Sequence, residues 1–222
     1  MDKYRYFLAA IFCTIATVLP VDAQCPVHAG VKIIVDLKFG ELRTVFDTNL
    51  KDLSALAIAT GHEAHMPLRA VYSSDVLSTA DIKEHVDRDG AGQFCASASL
   101  VQVHLSVQNR TIHVAKEIIN ESCLLKAATG HAEAHAHDEE VKIAAAETEI
   151  TSRLKGALSR PLISNEDSDQ AQAQLTTFVR KQIELYLNEI EARESESSKM
   201  IDSSASLENL RNACARENGI RP

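Results

Sequence analysis

The chain has 222 residues, a formal charge of −8 and 24% charged side chains. That acidic balance argues against nucleic acid or an anionic membrane as a partner. With no Trp and only 5% aromatic residues, the chain is poorly equipped for base stacking or an aromatic-walled carbohydrate site.

At the N-terminus, Lys3 and Arg5 precede an apolar run from Tyr6 to Leu19, and Val21-Asp22-Ala23 sets small residues at a cleavage site. This predicts a signal peptide over 1–23, cut after Ala23, and a secreted or periplasmic protein. The run is too short for a confident membrane span, so no stable span is expected after cleavage. A lipidated terminus is disfavoured because Gln24 stands where such a site needs a small residue. The remaining roughly 200 residues suffice for one domain with a real core. A single α+β domain is expected over 24–222, strand-rich over 24–120 and helical over 121–222.

Val31 to Phe39 (VKIIVDLKF) is a β-branched run suited to a buried strand. Asn49 to Thr60 has helical spacing, with Leu50, Leu53, Leu56 and Ala57 on one side and Gly61 ending it. Leu68 to Tyr72 is a short strand candidate, and Asp87 to Gly92 is turn chemistry. The clearest strand is Leu100 to Val107, where Val101, Val103, Leu105 and Val107 alternate with Gln102, His104 and Ser106. Gln108-Asn109-Arg110 predicts a turn, with Thr111 to Ala115 returning as the second strand of a hairpin. His104 and His113 are expected to face outward.

After Cys123 the pattern becomes helical, from Leu124 to Leu158, followed by a polar linker or cap over Asn165 to Gln174. A second long helix is expected from Ala171 to Glu194, with Leu175, Phe178, Val179, Ile183, Tyr186, Leu187 and Ile190 as its apolar stripe. A Ser-rich, charged segment, Glu194 to Ser206, separates it from a short final helix, Leu207 to Ala215.

The first long helix carries the most informative stretch, Gly130 to Glu140 (GHAEAHAHDEE), which holds three of the nine histidines. His131 and His135 are spaced i, i+4, so both imidazoles share one face and can bind one metal ion. At about 100° of rotation per residue the pair points some 100° from a core stripe that includes Leu125, Ala132, Ala136, Ile143, Ile150 and Leu154. The spacing is nearly that of the HExxH motif, in which the glutamate after the first histidine serves as general base to a zinc-bound water. Ala132 occupies that position. Glu133 falls on roughly the opposite side of a regular helix and can act as base only if the helix is distorted. Glu133, His137 and Glu140 form a second face at i, i+4, i+7, either a weak surface metal site or a solvated acidic face.

Gly61-His62-Glu63-Ala64-His65 reads as a solvated loop that could lend a ligand or, through Glu63, a base. Asn109-Arg110-Thr111 and Asn120-Glu121-Ser122 fit the glycosylation pattern, relevant only in a eukaryotic host. Cys13 leaves with the signal, and Cys25, Cys95, Cys123 and Cys214 remain. An even number in an oxidising compartment predicts two disulfides, with three connectivities open. Cys95–Cys123 would tie the strands to the histidine helix, and Cys25–Cys214 would clasp the ends.

Taken together, these features resemble a group of secreted bacterial zincin-like proteins of metallopeptidase type and largely unknown function. The resemblance runs through Cys25-Pro26 before the first strand, the hairpin at Leu100–Val107 and Thr111–Ala115, and Ser122-Cys123-Leu124 leading into the His131/His135 helix. It ends at Ile201-Asp202-Ser203 and Cys214. It implies a zincin-like α+β fold, with His131 and His135 as zinc ligands and a protein or peptide as substrate. A third ligand is implied, with Asp138, Glu139 and His137 as neighbours on the helix and Glu184 or Glu189 as acids of the second helix. With Ala132 at the base position, weak or no peptidase activity is expected, and Ala132→Glu is the natural rescue. The alternatives are an active zinc peptidase with Glu133 or Glu63 as displaced base, a periplasmic metal-buffering protein, and a structural protein.

Overall fold

The computed structural model describes Cys25, residues 30–59, 69–160, 162–163 and 167–203, and Cys214. The expected signal peptide, the Gly61–His65 stretch with Glu63, and the expected final helix lie outside the described residues, except for Cys214.

The protein has a mixed α/β architecture in which two long helices cover one face of a sheet. In chain order the elements are strands β1 (Lys32–Phe39) and β2 (Arg43–Thr48), helix α1 (Leu50–Ala59), then strands β3 (Ala70–Arg88) and β4 (Phe94–Ala115). A 3₁₀ turn (Lys116–Ile118), helix α2 (Ser122–Ala157), the two-residue strand β5 (Leu162–Ile163) and helix α3 (Ser168–Ile201) follow. β4 is the spine of the sheet. It pairs antiparallel with β3 from Ala70↔Val114 to Arg88↔Phe94. Along its other edge it pairs parallel with β1, from Lys32↔Leu100 to Phe39↔Val107, and then with β2 at Arg43↔Thr111. Strands do precede the long helices, but α1 and β5 interrupt the expected segregation.

The expected hairpin turn at Gln108-Asn109-Arg110 is instead a β-bulge inside one 22-residue strand. The register passes from Ser73↔Thr111 to Asp75↔Gln108, so Asn109 and Arg110 together oppose Ser74. Asn109 takes φ 51, the left-handed conformation that asparagine tolerates better than most residues. The extra residue switches the parity of the strand. Val101, Val103, Leu105 and Val107 face the helices before it, and Arg110, Ile112 and Val114 do so after it. β3, anticipated only over Leu68–Tyr72, is correspondingly 19 residues long.

Two apolar clusters share the helix-covered face. In the larger, Val101 to Val107 of β4 meet Ile143, Ile150 and Leu154 of α2 and Leu175, Val179 and Tyr186 of α3. In the smaller, Leu53 and Ala57 of α1 meet Tyr72, Ile112 and Val114 of the sheet and Ala132 and Ala136 of α2. The α2 stripe thus holds the predicted residues, with Leu125 packed at the margin of the smaller cluster.

α3 starts earlier and ends later than its apolar stripe implies. Asp167 caps it by accepting from the Asp169 N–H at 2.8 Å. The Ser-rich stretch remains helical to Ile201 because α2 holds it. Ser197 Oγ donates to Asp138 at 2.5 Å, and Lys142 Nζ donates to the Arg193 carbonyl at 3.3 Å. Farther from that end, Arg153 pairs with both Glu189 oxygens at 2.9 and 2.6 Å, and Arg193 with both Glu149 oxygens at 3.4 Å.

The four expected cysteines form two disulfides, Cys25–Cys95 and Cys123–Cys214. The Cys95–Cys123 and Cys25–Cys214 pairings considered from sequence are not made. Cys25 instead lies beside the start of β4, and the start of α2 is joined to Cys214. Such bridges suit an oxidising compartment. No helix among the described residues is long and apolar enough to cross a membrane.

Candidate metal centre and its cleft

α2 presents His131 and His135 one turn apart, their side chains only 9% and 6% exposed. The ring centroids are 5.0 Å apart and the planes nearly perpendicular. Between them comes Asp202, the residue just after α3. Its Oδ1 lies 2.9 Å from His131 Nε2 and 2.9 Å from His135 Nε2. The three ligand atoms all lie within 4.8 Å of one another, so this group could hold a metal ion.

The donor set and spacing both suit one. Two imidazole nitrogens and a carboxylate oxygen are common ligands of zinc and related divalent ions. Tetrahedral bonds of about 2.05 Å require ligand atoms roughly 3.3 Å apart, a few tenths of an ångström beyond the observed 2.9 Å. A small rotation of the side chains covers the difference. Without metal, one carboxylate oxygen can accept from both rings only if each carries its proton on Nε2. A bound cation takes the place of those two protons.

Asp202 is placed by the end of α3, where its backbone N–H still donates to the Ser198 carbonyl at 2.8 Å. The last turns of α3 are clamped to α2 through Asp138, which accepts from Lys142 and Ser197, each at 2.5 Å. Burial alone would raise the Asp138 carboxyl, but the hydrogen bonds and charge of Lys142 with the Ser197 hydroxyl hold it below its ordinary value. Asp138 therefore positions the centre from outside the three-ligand group.

Glu139, the other acid proposed beside the histidines, is also engaged elsewhere. It is buried and accepts from Tyr72 OH at 2.5 Å and from Ser74. Arg110, turned inward by the bulge, donates to Tyr72 OH at 3.3 Å, to the Gly40 carbonyl at 3.1 Å and to Glu140. Burial, followed by the Glu139 contact, pushes the Tyr72 phenol up to about 12, so it remains a donor. His137 is exposed, 3.8 Å from Glu140, and Glu133 is exposed. Neither joins the three-ligand group. Glu189 is held by Arg153, and Glu184 lines the cleft described next. Ala132 is 1% exposed within the smaller apolar cluster.

His135 opens onto a cavity of about 900 Å³ between β3 and the two long helices. Its walls include Tyr72, Ser74, Asp75 and Leu77 of the sheet, Asp138 and Glu139 of α2, and Glu184, Asn188 and Glu191 of α3. The centre therefore has a half-buried ion position with a solvent-connected cleft beside it. Three protein ligands leave a fourth position on a tetrahedral ion for water or another oxygen or nitrogen donor.

The histidines stand out in the sequence, whereas Asp202 is marked there only by the Ile201-Asp202-Ser203 step. The signal lay in helical phase: Glu184, Asn188, Glu191, Ser195, Ser198 and Asp202 follow one another at intervals of three or four. Comparison with protein-family models, curated proteins and solved structures gave no match.

Proposed function

We propose that the protein is a secreted, zincin-like zinc-binding protein with weak or no peptidase activity. The observation that carries the reading is the convergence of His131 Nε2 and His135 Nε2 on one Asp202 oxygen, both at 2.9 Å. Zinc suits a site of two imidazoles and one carboxylate with a fourth position free. Bound there, zinc would polarise a water or a carbonyl oxygen.

Hydrolysis also needs a base within reach of the metal-bound water. Ala132 at the customary position supplies none, and its side chain packs into the apolar cluster rather than the cleft. Glu133 is exposed, and Glu139 is engaged by Tyr72 and Ser74. This supports a binding or regulatory role over efficient turnover.

The test is the metal content of the secreted chain, purified without a histidine tag, beside the His131→Ala/His135→Ala and Asp202→Ala variants. About one zinc per chain is expected, lost in both variants, with no chelator-sensitive hydrolysis of an unfolded protein. Element analysis separates zinc from iron, copper or nickel, which accept similar donors. No metal after incubation with zinc and dialysis overturns the reading. Several weakly held ions whose loss requires mutation of His137 would point to a metal buffer instead.

A further inference from the structure

We propose that the cleft beside the metal centre binds extended, lysine- and arginine-rich polypeptide, with α3 as the wall that reads its positive side chains. This rests on the proposed metal centre only in placing the bound chain beside an ion. The groove itself is independent of metal.

The argument starts from shape. Glu184, Asn188, Glu191, Ser195 and Ser198 line the cleft from one face of α3, and the same row continues to the ligand Asp202. At 1.5 Å per residue, Glu184 to Ser198 spans about 21 Å. The opposite wall, Tyr72 to Ser78 of β3, runs about 20 Å at 3.3 Å per residue. A groove with walls of that length fits six or seven extended residues better than a compact small molecule. β3 pairs with β4 on one edge, and among the described residues no strand pairs with its other edge. A polypeptide has the backbone N–H and C=O groups to use such an edge, and a simple polyamine does not.

Charge then chooses the side chains. Among the described residues the lining includes Asp75, Asp138, Glu139, Glu184 and Glu191 but no Lys or Arg, and His135 is its one basic residue there. Asp138 is balanced by Lys142. Glu184 and Glu191 are exposed and form no ion pair among the described residues. Their separation, i and i+7, is about 10 Å along the axis, close to three steps of an extended chain. Val76, Leu77, Leu187 and Ile190 add apolar surface between the charges, where lysine and arginine stems can lie.

The probe is a fluorescein-labelled ten-residue peptide of alternating lysine and serine, followed by anisotropy at low salt with chelator present and again with zinc. An otherwise identical glutamate–serine peptide and unlabelled spermine serve as comparisons. The lysine peptide is expected to bind, and Glu184→Lys/Glu191→Lys should weaken it at least tenfold. Glu133→Lys/Glu147→Lys alters exposed acids of α2 outside the cleft by the same net charge and should weaken it less than threefold. Equal losses in the two double variants would reduce the effect to net charge and overturn the proposal. So would no binding, comparable binding of the glutamate peptide, or displacement by spermine at equal affinity. Peptide binding lost with zinc uptake intact fails this inference alone. Zinc uptake lost with peptide binding intact fails the metal reading alone.

Discussion

The two halves of α2 do different work on the same helix. Its C-terminal half, from Ile143 to Leu154, faces Val101–Val107 and α3 with large aliphatic side chains and is braced outside by Arg153–Glu189 and Glu149–Arg193. Its N-terminal half meets the smaller cluster through Ala132 and Ala136 and bears His131, His135, Asp138 and Glu139. One half is built from volume, the other from polar groups placed against partners far along the chain. The aliphatic core and the candidate metal centre are thereby separated along about 50 Å of one helix.

Substitutions can test how complete that separation is. Leu154→Ala removes a side chain 1% exposed and should cost about 2–5 kcal/mol in urea unfolding, while the folded fraction retains its zinc stoichiometry. Loss of metal from fully folded protein would show the halves to be coupled. Ala132→Glu, the natural rescue from sequence, drives a carboxylate into the smaller apolar cluster. The expected outcome is destabilisation of about 3 kcal/mol and no gain in hydrolysis. A peptidase gained without loss of stability would contradict that account. With zinc removed from both, His135→Ala should lose on the order of 1 kcal/mol relative to wild type, from its partly buried hydrogen bond to Asp202. At zinc 100-fold above its dissociation constant, wild type should gain about 2.7 kcal/mol and the variant nothing.

Smaller effects lie at the clamp between the helices. The Asp138 carboxyl is held below its ordinary value of 3.8 in the folded protein. Its contribution is therefore present above that ordinary value and lost as pH falls through the lower, folded one. Asp138→Asn should flatten that acid limb and cost on the order of 1 kcal/mol at neutral pH. Glu189→Gln breaks a pair whose side chains are about half exposed and should cost less than about 1 kcal/mol, without changing metal content.

Local periodicity made much of this legible. Alternation along Leu100–Val107 and the helical phase of Ile143, Ile150 and Leu154 are short-range signals, and each element forms where its pattern lies. At Asn109 the same signal misleads. A bulge and a hairpin turn can both place an asparagine at positive φ, as Asn109 is here, so only pairing with β3 distinguishes them. Asp202 was obscured because Ser195 to Ser198 read as linker. Their helix depends on Asp138 and Lys142, more than 50 residues away. The histidines were visible because both lie on one helix. The third candidate ligand depends on how two helices fold back on each other.

The Cys123–Cys214 bridge changes how near Asp202 is to the histidines before any folding occurs. Along the backbone, Asp202 is 71 residues from His131. Through the sulfur atoms the covalent path is about 20 residues, which by loop-closure entropy lowers the cost of bringing the ends together by about 1 kcal/mol, or several-fold in encounter frequency. In the unfolded chain the bridge thus serves as a short tether between the three donors of the candidate centre. If the candidate centre takes up an ion, reducing Cys123–Cys214 should slow that uptake several-fold by lengthening the path between the donors.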